Sequence, residues 1–129
     1  RLFPASKATK KELFPVIDRD GIAKPAILLI VQEALSAGVD EVVITESKGA
    51  LARVEGQEYD EPFSNRSVVG RTGRGDTTFA AYLCWRLDHS VPEALNFAAA
   101  LVSLKMETAG PFAGSLDDVL KRMTECHAV

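Results

Sequence analysis

Two cysteines, one tryptophan and two histidines in 129 residues leave this sequence poor in the side chains that metal and redox sites use. Cys84 and Cys126 are too few for a disulfide framework. Free thiols in a reducing cytoplasm are the economical reading, so a cytoplasmic protein is expected. Neither His89 nor His127 has a Cys or carboxylate at metal-ligand spacing, so no metal site is expected. An excess of positive charge is also missing: the formal net charge is −3 and the pI near 5.4. A general nucleic-acid binder would carry a basic face, so that class is excluded. The longest apolar stretch, Pro25 to Val31, is far too short to cross a bilayer, and no signal peptide pattern is visible. Nine glycines and six prolines are too few for a fibrous or low-complexity chain. What is there suits an ordinary globular domain: 47% hydrophobic and 26% charged residues, enough apolar surface for one core over 1–129.

The chain reads as an α/β protein. Leu13 to Ile17 is expected to form a short buried strand, followed by a turn over Asp18-Arg19-Asp20-Gly21. Pro25 opens an amphipathic helix carried by Ile27, Leu28, Val31, Ala34 and Leu35, and Gly38 ends it. Val39 to Thr45 has the β-branched character of a strand in a parallel sheet. A hairpin is expected next, Ala50–Val54 and Tyr59–Phe63 about Glu55-Gly56-Gln57. From Asp76 the pattern is helical. Phe79, Ala80, Leu83, Cys84 and Leu87 make one apolar stripe, with Cys84 as core filler and Tyr82 and Trp85 as packing residues. Ser90 and Glu93 form a capping box for a deeply buried helix from Pro92 to Glu107. Ser115 and Asp118 cap a last helix near Cys126. The expected architecture is a small, mostly parallel sheet with packed helices and a β-hairpin.

The most informative stretch is Val69-Gly70-Arg71-Thr72-Gly73-Arg74-Gly75-Asp76-Thr77-Thr78-Phe79. A glycine-punctuated polar loop runs straight into a helix, and unpaired N–H groups at a positive dipole end make an anion site. Arg71 and Arg74 offer charge-assisted bonds to phosphate oxygens. Asp76 has two readings: a base that takes a proton from a hydroxyl nucleophile, or a plain N-cap. The run is not a P-loop, because it lacks the Lys-Ser/Thr ending.

This string closely resembles the C-terminal motif of PfkB/ribokinase-family carbohydrate kinases, Asp/Gly-x-Thr-Gly-Ala-Gly-Asp-Thr/Ser-Phe. The resemblance continues through Glu93-Ala94-Leu95-Asn96-Phe97-Ala98-Ala99-Ala100 and Leu104-Lys105. It also reaches back to Thr45-Glu46-Ser47-Lys48-Gly49-Ala50-Leu51. It implies a ribokinase-like half over 45–129, with Asp76 as catalytic base. Thr72, Gly73, Arg74 and Gly75 would bind the transferring phosphoryl group, with Arg71 beside them. The implied reaction is in-line transfer from ATP with Mg to a small sugar-like hydroxyl. Arg74 stands where the family usually has Ala, Ala99 where Asn is common, and Glu46 where Gly is frequent. The family's N-terminal half, which brings most sugar contacts and an acidic motif associated with magnesium, has no counterpart. A kinase motif on a chain too short for full turnover alone is therefore expected, and an exposed sheet edge invites a homodimer.

Arg1-Leu2-Phe3-Pro4-Ala5-Ser6-Lys7-Ala8-Thr9-Lys10-Lys11-Glu12-Leu13-Phe14-Pro15-Val16 resembles a different family, the nucleotidyltransferases that make UDP-glucose from UTP and glucose 1-phosphate. The match runs through Lys24-Pro25-Ala26 and Glu33-Ala34-Leu35 to about Val43. It implies that Lys11 and Arg1 contact the triphosphate of UTP. The alternative for Lys7, Lys10 and Lys11 is a solvated basic run. The switch of resemblance inside one strand reads as a chimera or recombined fragment, 1–44 from one family and 45–129 from the other. A folded but inactive domain is the third reading.

Overall fold

The computed structural model describes residues 13–126, the side chain of Cys126 excepted, and the chain gathers into two compact units, Arg1–Asp40 and Glu41–Val129. The first unit contains β1 (Pro15–Ile17), β2 (Ala23–Pro25) and α1 (Ala26–Ser36). β1 and β2 pair antiparallel with Ile17 opposite Ala23. The turn between them is closed by Gly21, at φ +78°, whose N–H reaches the Asp18 carbonyl at 2.9 Å. Lys24 straddles it, with Nζ 2.5 Å from Asp18 Oδ2 and 2.7 Å from Asp20 Oδ2.

β1 is exposed along its length rather than buried as its composition suggests, because a three-residue ribbon offers too little surface to cover it. α1 starts after Pro25, whose φ of −56° is already helical. It ends where Gly38 turns left-handed at φ +80°. None of its residues is buried: Val31 and Ala34 are half-covered, while Ile27, Leu28 and Leu35 face outward.

The second unit is β3 (Glu41–Thr45), β4 (Gly49–Val54), β5 (Gln57–Pro62), α2 (Arg74–Arg86), α3 (Val91–Met106) and α4 (Leu116–Cys126). β3, which the two resemblances share, belongs wholly to this unit. The α/β class, the hairpin and the helices are as the sequence predicts, but the parallel pairing is not. β3, β4 and β5 form one antiparallel sheet in that order. The connections explain it: a handful of residues joins β3 to β4, and Glu55-Gly56 joins β4 to β5, whereas a parallel crossover needs a dozen or more. Glu55 at φ +50° and Gly56 at φ +82° give the mirror-image turn that suits a twisted hairpin.

α3 is the hub. Ala94, Leu95, Ala98, Val102 and their neighbours are buried against Ala50 and Ala52 of the sheet, Ala81 and Tyr82 of α2, and Val119 of α4. Its start is the expected capping box, with the Ser90 N–H donating to Glu93 Oε2 at 2.9 Å. α4 repeats the device, the Ser115 N–H donating to Asp118 Oδ2 at 2.8 Å.

α2 turns a different face inward from the one its apolar stripe suggests. Thr78, Ala81 and Tyr82 are buried, while Phe79, Ala80, Leu83, Cys84 and Leu87 are exposed, so Cys84 is not core filler. Specific contacts decide this. The Tyr82 hydroxyl donates to Glu41 Oε1, and Arg86 Nε holds the other oxygen of that carboxylate at 3.2 Å. Burial and the neighbouring carboxylate push the Tyr82 phenol well above its ordinary value. Trp85 stacks flat on Phe97 at 4.0 Å between centroids and on His89 at 4.3 Å. His89 Nδ1 lies 3.1 Å from the Trp85 carbonyl, capping the helix end as its position predicts.

A buried ion pair ties α3, α4 and the loop after β5 together. Arg122 Nη1 donates to Glu107 Oε1 at 2.9 Å and to the Ser64 carbonyl at 3.1 Å, and Nη2 reaches Glu107 Oε2 at 3.2 Å. The Arg122 hydrogen bond holds the Glu107 carboxyl below its ordinary value of 4.5, outweighing the opposing effect of burial. Because the folded-state value is depressed, this contribution is complete above pH 4.5 and is lost as pH falls through the folded value. Glu93 and Asp118, depressed by their cap bonds to Ser90 and Ser115, act in the same direction. Urea midpoints should therefore be flat from pH 7 to about 5.5 and fall steadily below 4.5; a midpoint that rises on acidification would contradict this linkage.

Candidate phosphate site

Gly70 lays the loop onto the end of α3. The N–H groups of Val69 and Gly70 both donate to the Met106 carbonyl, at 2.8 and 3.1 Å. A Cβ at position 70 would stand 2.6 Å from the Thr108 carbonyl oxygen, so only glycine allows this approach. Gly73 then turns left-handed, at φ +76°, and serves as the N-cap of α2 with no side-chain cap bond. Asp76 is thus not the N-cap, the plainer of its two readings, but the third residue of the helix. Thr77 N–H makes the first bond back, to the Gly73 carbonyl at 2.9 Å. The N–H groups of Gly75 and Asp76 have no acceptor among the described residues.

A cleft of about 530 Å³ opens here. From the loop and first turn it is lined by Gly70, Thr72, Gly73, Asp76 and Thr77, and Lys105 with residues 109–111 complete it. Asp76 is the one carboxylate-bearing residue among those lining it. The other expected site residues sit differently. Arg71 is exposed and does not line the cleft. The Arg74 guanidinium points to the sheet, with Nη1 3.3 Å from the Ser47 carbonyl and its carbon 5.8 Å from the centre of the Phe63 ring. Gly75 is exposed in the first turn and faces Thr45 with room for a methyl group, 3.7 Å from Oγ1. Arg1 and Lys11 lie outside the described residues, as do Lys7, Lys10 and His127.

Lys105 is the residue that the sequence reading left without a role. Its side chain is 2% exposed, and its ammonium donates to the carbonyls of Gly70 at 2.9 Å and Thr72 at 2.5 Å. The signal was present: Ala98, Val102 and Lys105 share one buried face at spacings of four and three, and a lysine there breaks the apolar pattern.

A second cleft, of about 470 Å³, lies between α4 and residues 107–114. Four of its charged groups form ion pairs, Arg122 with Glu107 and Arg66 Nη2 with Glu125 Oε2 at 3.0 Å, while Asp118 caps α4 through Ser115. Among the described residues no cluster of His, Cys, Asp and Glu could hold a metal ion, and no helix is long and apolar enough to cross a membrane.

Replacing Gly70 by Ala is expected to cost about 1–3 kcal/mol through the clash with the Thr108 carbonyl. Gly75→Ala, inside a helix with room for the methyl, is expected to be neutral or to stabilise by about 0.5–1 kcal/mol. Urea denaturation of both variants checks the contrast, and equal effects would mean the loop does not press on α3 as described.

With this geometry in hand, the comparisons with known proteins become specific. No family model matches the chain. Its fold is similar to that of ribokinase-family kinases. One is a pyrophosphate-dependent kinase of that family, solved with a pyrophosphate analogue and myo-inositol. It is 34% identical, covers 70% of this chain and 32% of its own, and superposes with a TM-score of 0.57. Another is the Arabidopsis thaliana ribokinase solved with ribose and ATP, 30% identical, covering 76% of this chain and 33% of its own, at a TM-score of 0.65. A ribokinase from E. coli solved with ATP and Mg superposes equally well, at 0.65, with 22% identity.

Curated proteins of the other kind match as well. UTP–glucose-1-phosphate uridylyltransferase 1 of Staphylococcus saprophyticus is 42% identical over 76 residues, and the Bacillus subtilis enzyme 36% over 73 residues. The chain spans about a third of the kinases' length and 24% and 23% of these transferases. Both resemblances read from the sequence are therefore present in one chain, and the chain contains a PfkB-type kinase-like region.

Proposed function

We propose that residues 41–129 are the donor-phosphate side of a PfkB/ribokinase-type carbohydrate kinase, transferring a phosphoryl group from ATP to a sugar-like hydroxyl. One observation carries the reading: the left-handed Gly73 places Asp76 in the first helical turn beside two unpartnered N–H groups, in one cleft with a buried lysine. The N–H groups and dipole end face the developing charge on the phosphoryl oxygens. Asp76 accepts the proton of the acceptor hydroxyl as its oxygen bonds to the terminal phosphorus, and the bridging oxygen leaves with the donor diphosphate. Two related structures, 34% and 30% identical, hold a pyrophosphate analogue with myo-inositol and ATP with ribose, respectively. The shared chemistry is a phosphoanhydride donor and a cyclic polyol acceptor. Magnesium fits here as part of the donor: with one carboxylate in the cleft, the described residues form no cage of their own for it.

A second reading, that of a nucleotidyltransferase fragment, applies to the N-terminal part of the chain; the 42% identity to a uridylyltransferase extends over 76 residues, 59% of the chain. There Lys11 and Arg1 contact the phosphates of UTP. The junction of the two resemblances supports a recombined origin for the chain.

The test is an amide NMR titration of the full chain with Mg-ATP and then with Mg-UTP. Movement at residues 73–77 with ATP supports the kinase reading. Movement confined to residues 7–11 with UTP would replace it by the transferase reading. A dispersed spectrum indifferent to both would establish a fold without either function.

A further inference from the structure

We propose that Lys105 is the positioning residue of the phosphate site, holding the glycine loop in its anion-binding shape and supplying the fixed positive charge of the cleft. This rests on the donor-phosphate reading above. Lys105 is 2% exposed as a residue and lines the cleft, and no carboxylate lies within ion-pair distance of its ammonium among the described residues. A buried charge without a counter-charge is costly unless dipoles compensate it. Here the dipoles are the carbonyls of Gly70 and Thr72, two residues apart, which both converge on Nζ.

This has a geometric consequence. In a planar trans peptide the N–H points opposite to the C=O. Drawing the carbonyls of Gly70 and Thr72 onto Lys105 therefore turns the N–H groups of Arg71 and Gly73 away from the ammonium and sets the entry into the left-handed Gly73. The two partners use two of the three ammonium protons, and Lys105 lines the cleft together with Asp76. An arriving polyphosphate thus meets a cation that needs no rearrangement and offsets the repulsion from Asp76. The two expected arginines do not do this work: Arg74 is engaged at the sheet and Arg71 is outside the cleft.

Inorganic pyrophosphate is the probe, titrated into the full chain by calorimetry and amide NMR. Lys105→Met keeps the side-chain length and removes the charge; its pyrophosphate affinity should fall at least tenfold. In Lys105→Ala, millimolar ethylammonium should restore affinity by filling the vacated space with an ammonium group. A purely structural lysine would not give that rescue selectively over neutral propanol. Should both variants unfold, the unaltered chain decides: a buried, doubly bonded ammonium gives an observable Nζ signal, which should shift as pyrophosphate is added. Pyrophosphate binding with no movement of that signal, or wild-type affinity in Lys105→Met, would overturn the role of Lys105 and leave the anion site standing. No pyrophosphate binding by the unaltered chain would overturn the anion site and this inference with it.

Discussion

Asp76→Asn is expected to lower phosphoryl transfer at least a hundredfold while binding ATP as tightly as the unaltered chain, or more tightly. The two effects have one cause. As a base, the carboxylate accepts the proton of the attacking hydroxyl, a contribution typically of about 10²–10⁴-fold that an amide cannot make. As a charge, it repels the phosphates it works beside. At roughly 7 Å and an effective dielectric of about 40 that repulsion is about 1 kcal/mol, so removing it should tighten binding about fivefold. Asp76 is exposed on the cleft wall and makes no side-chain cap bond, so the change leaves the fold intact. Transfer is followed by release of the donor diphosphate from ATP in the presence of a polyol acceptor, and affinity by calorimetry on the chain itself. A variant that binds less tightly would make Asp76 a phosphate-side hydrogen-bond partner, and one that retains transfer would end its assignment as the base.

Arg122→Met is expected to be the most destabilising single change outside the apolar core, at about 3 kcal/mol. It strips a bidentate partner from Glu107 and a donor from the Ser64 carbonyl, leaving a carboxylate in a site only 19% exposed. Thermal unfolding should drop by about 10 °C. The cost lies mainly in the stranded charge, so adding Glu107→Gln should recover part of it while keeping an acceptor for the Arg66 N–H, which Glu107 now takes at 2.7 Å. Additive losses in the double variant would show that Arg122 acts through packing instead. The double variant should also lose Glu107's share of the acid sensitivity expected of the parent, while the shares of Glu93 and Asp118 remain.

Short-range signals were the legible part of this fold. Ser90 with Glu93 and Ser115 with Asp118 announce their helices because a cap is a contact over three residues. Glu55-Gly56 announces its hairpin because few residues tolerate two left-handed positions in a row. The loop from Gly70 to Asp76 was legible as a glycine-punctuated entry into a helix with free N–H groups for the same reason: the groups at a helix start are a local property.

The direction in which side chains face was not local. Phe79, Leu83 and Leu87 read as a core stripe, yet α2 turns Thr78, Ala81 and Tyr82 inward. Glu41, 45 residues upstream of Arg86, captures Tyr82 and Arg86 and so fixes the helix rotation. Arg74 read as a phosphate ligand, yet Ser47 and Phe63 claim its guanidinium.

By itself, then, the sequence determined the order of the helices, the β4–β5 hairpin, the caps, and the carboxylate in the first turn of α2, all of which depend on neighbours a few residues away. Tertiary structure alone decided that Arg74 leaves the cleft and that Lys105 enters it. Those outcomes depend on which distant carbonyl, ring or carboxylate reaches a side chain first, and chain spacing does not encode that.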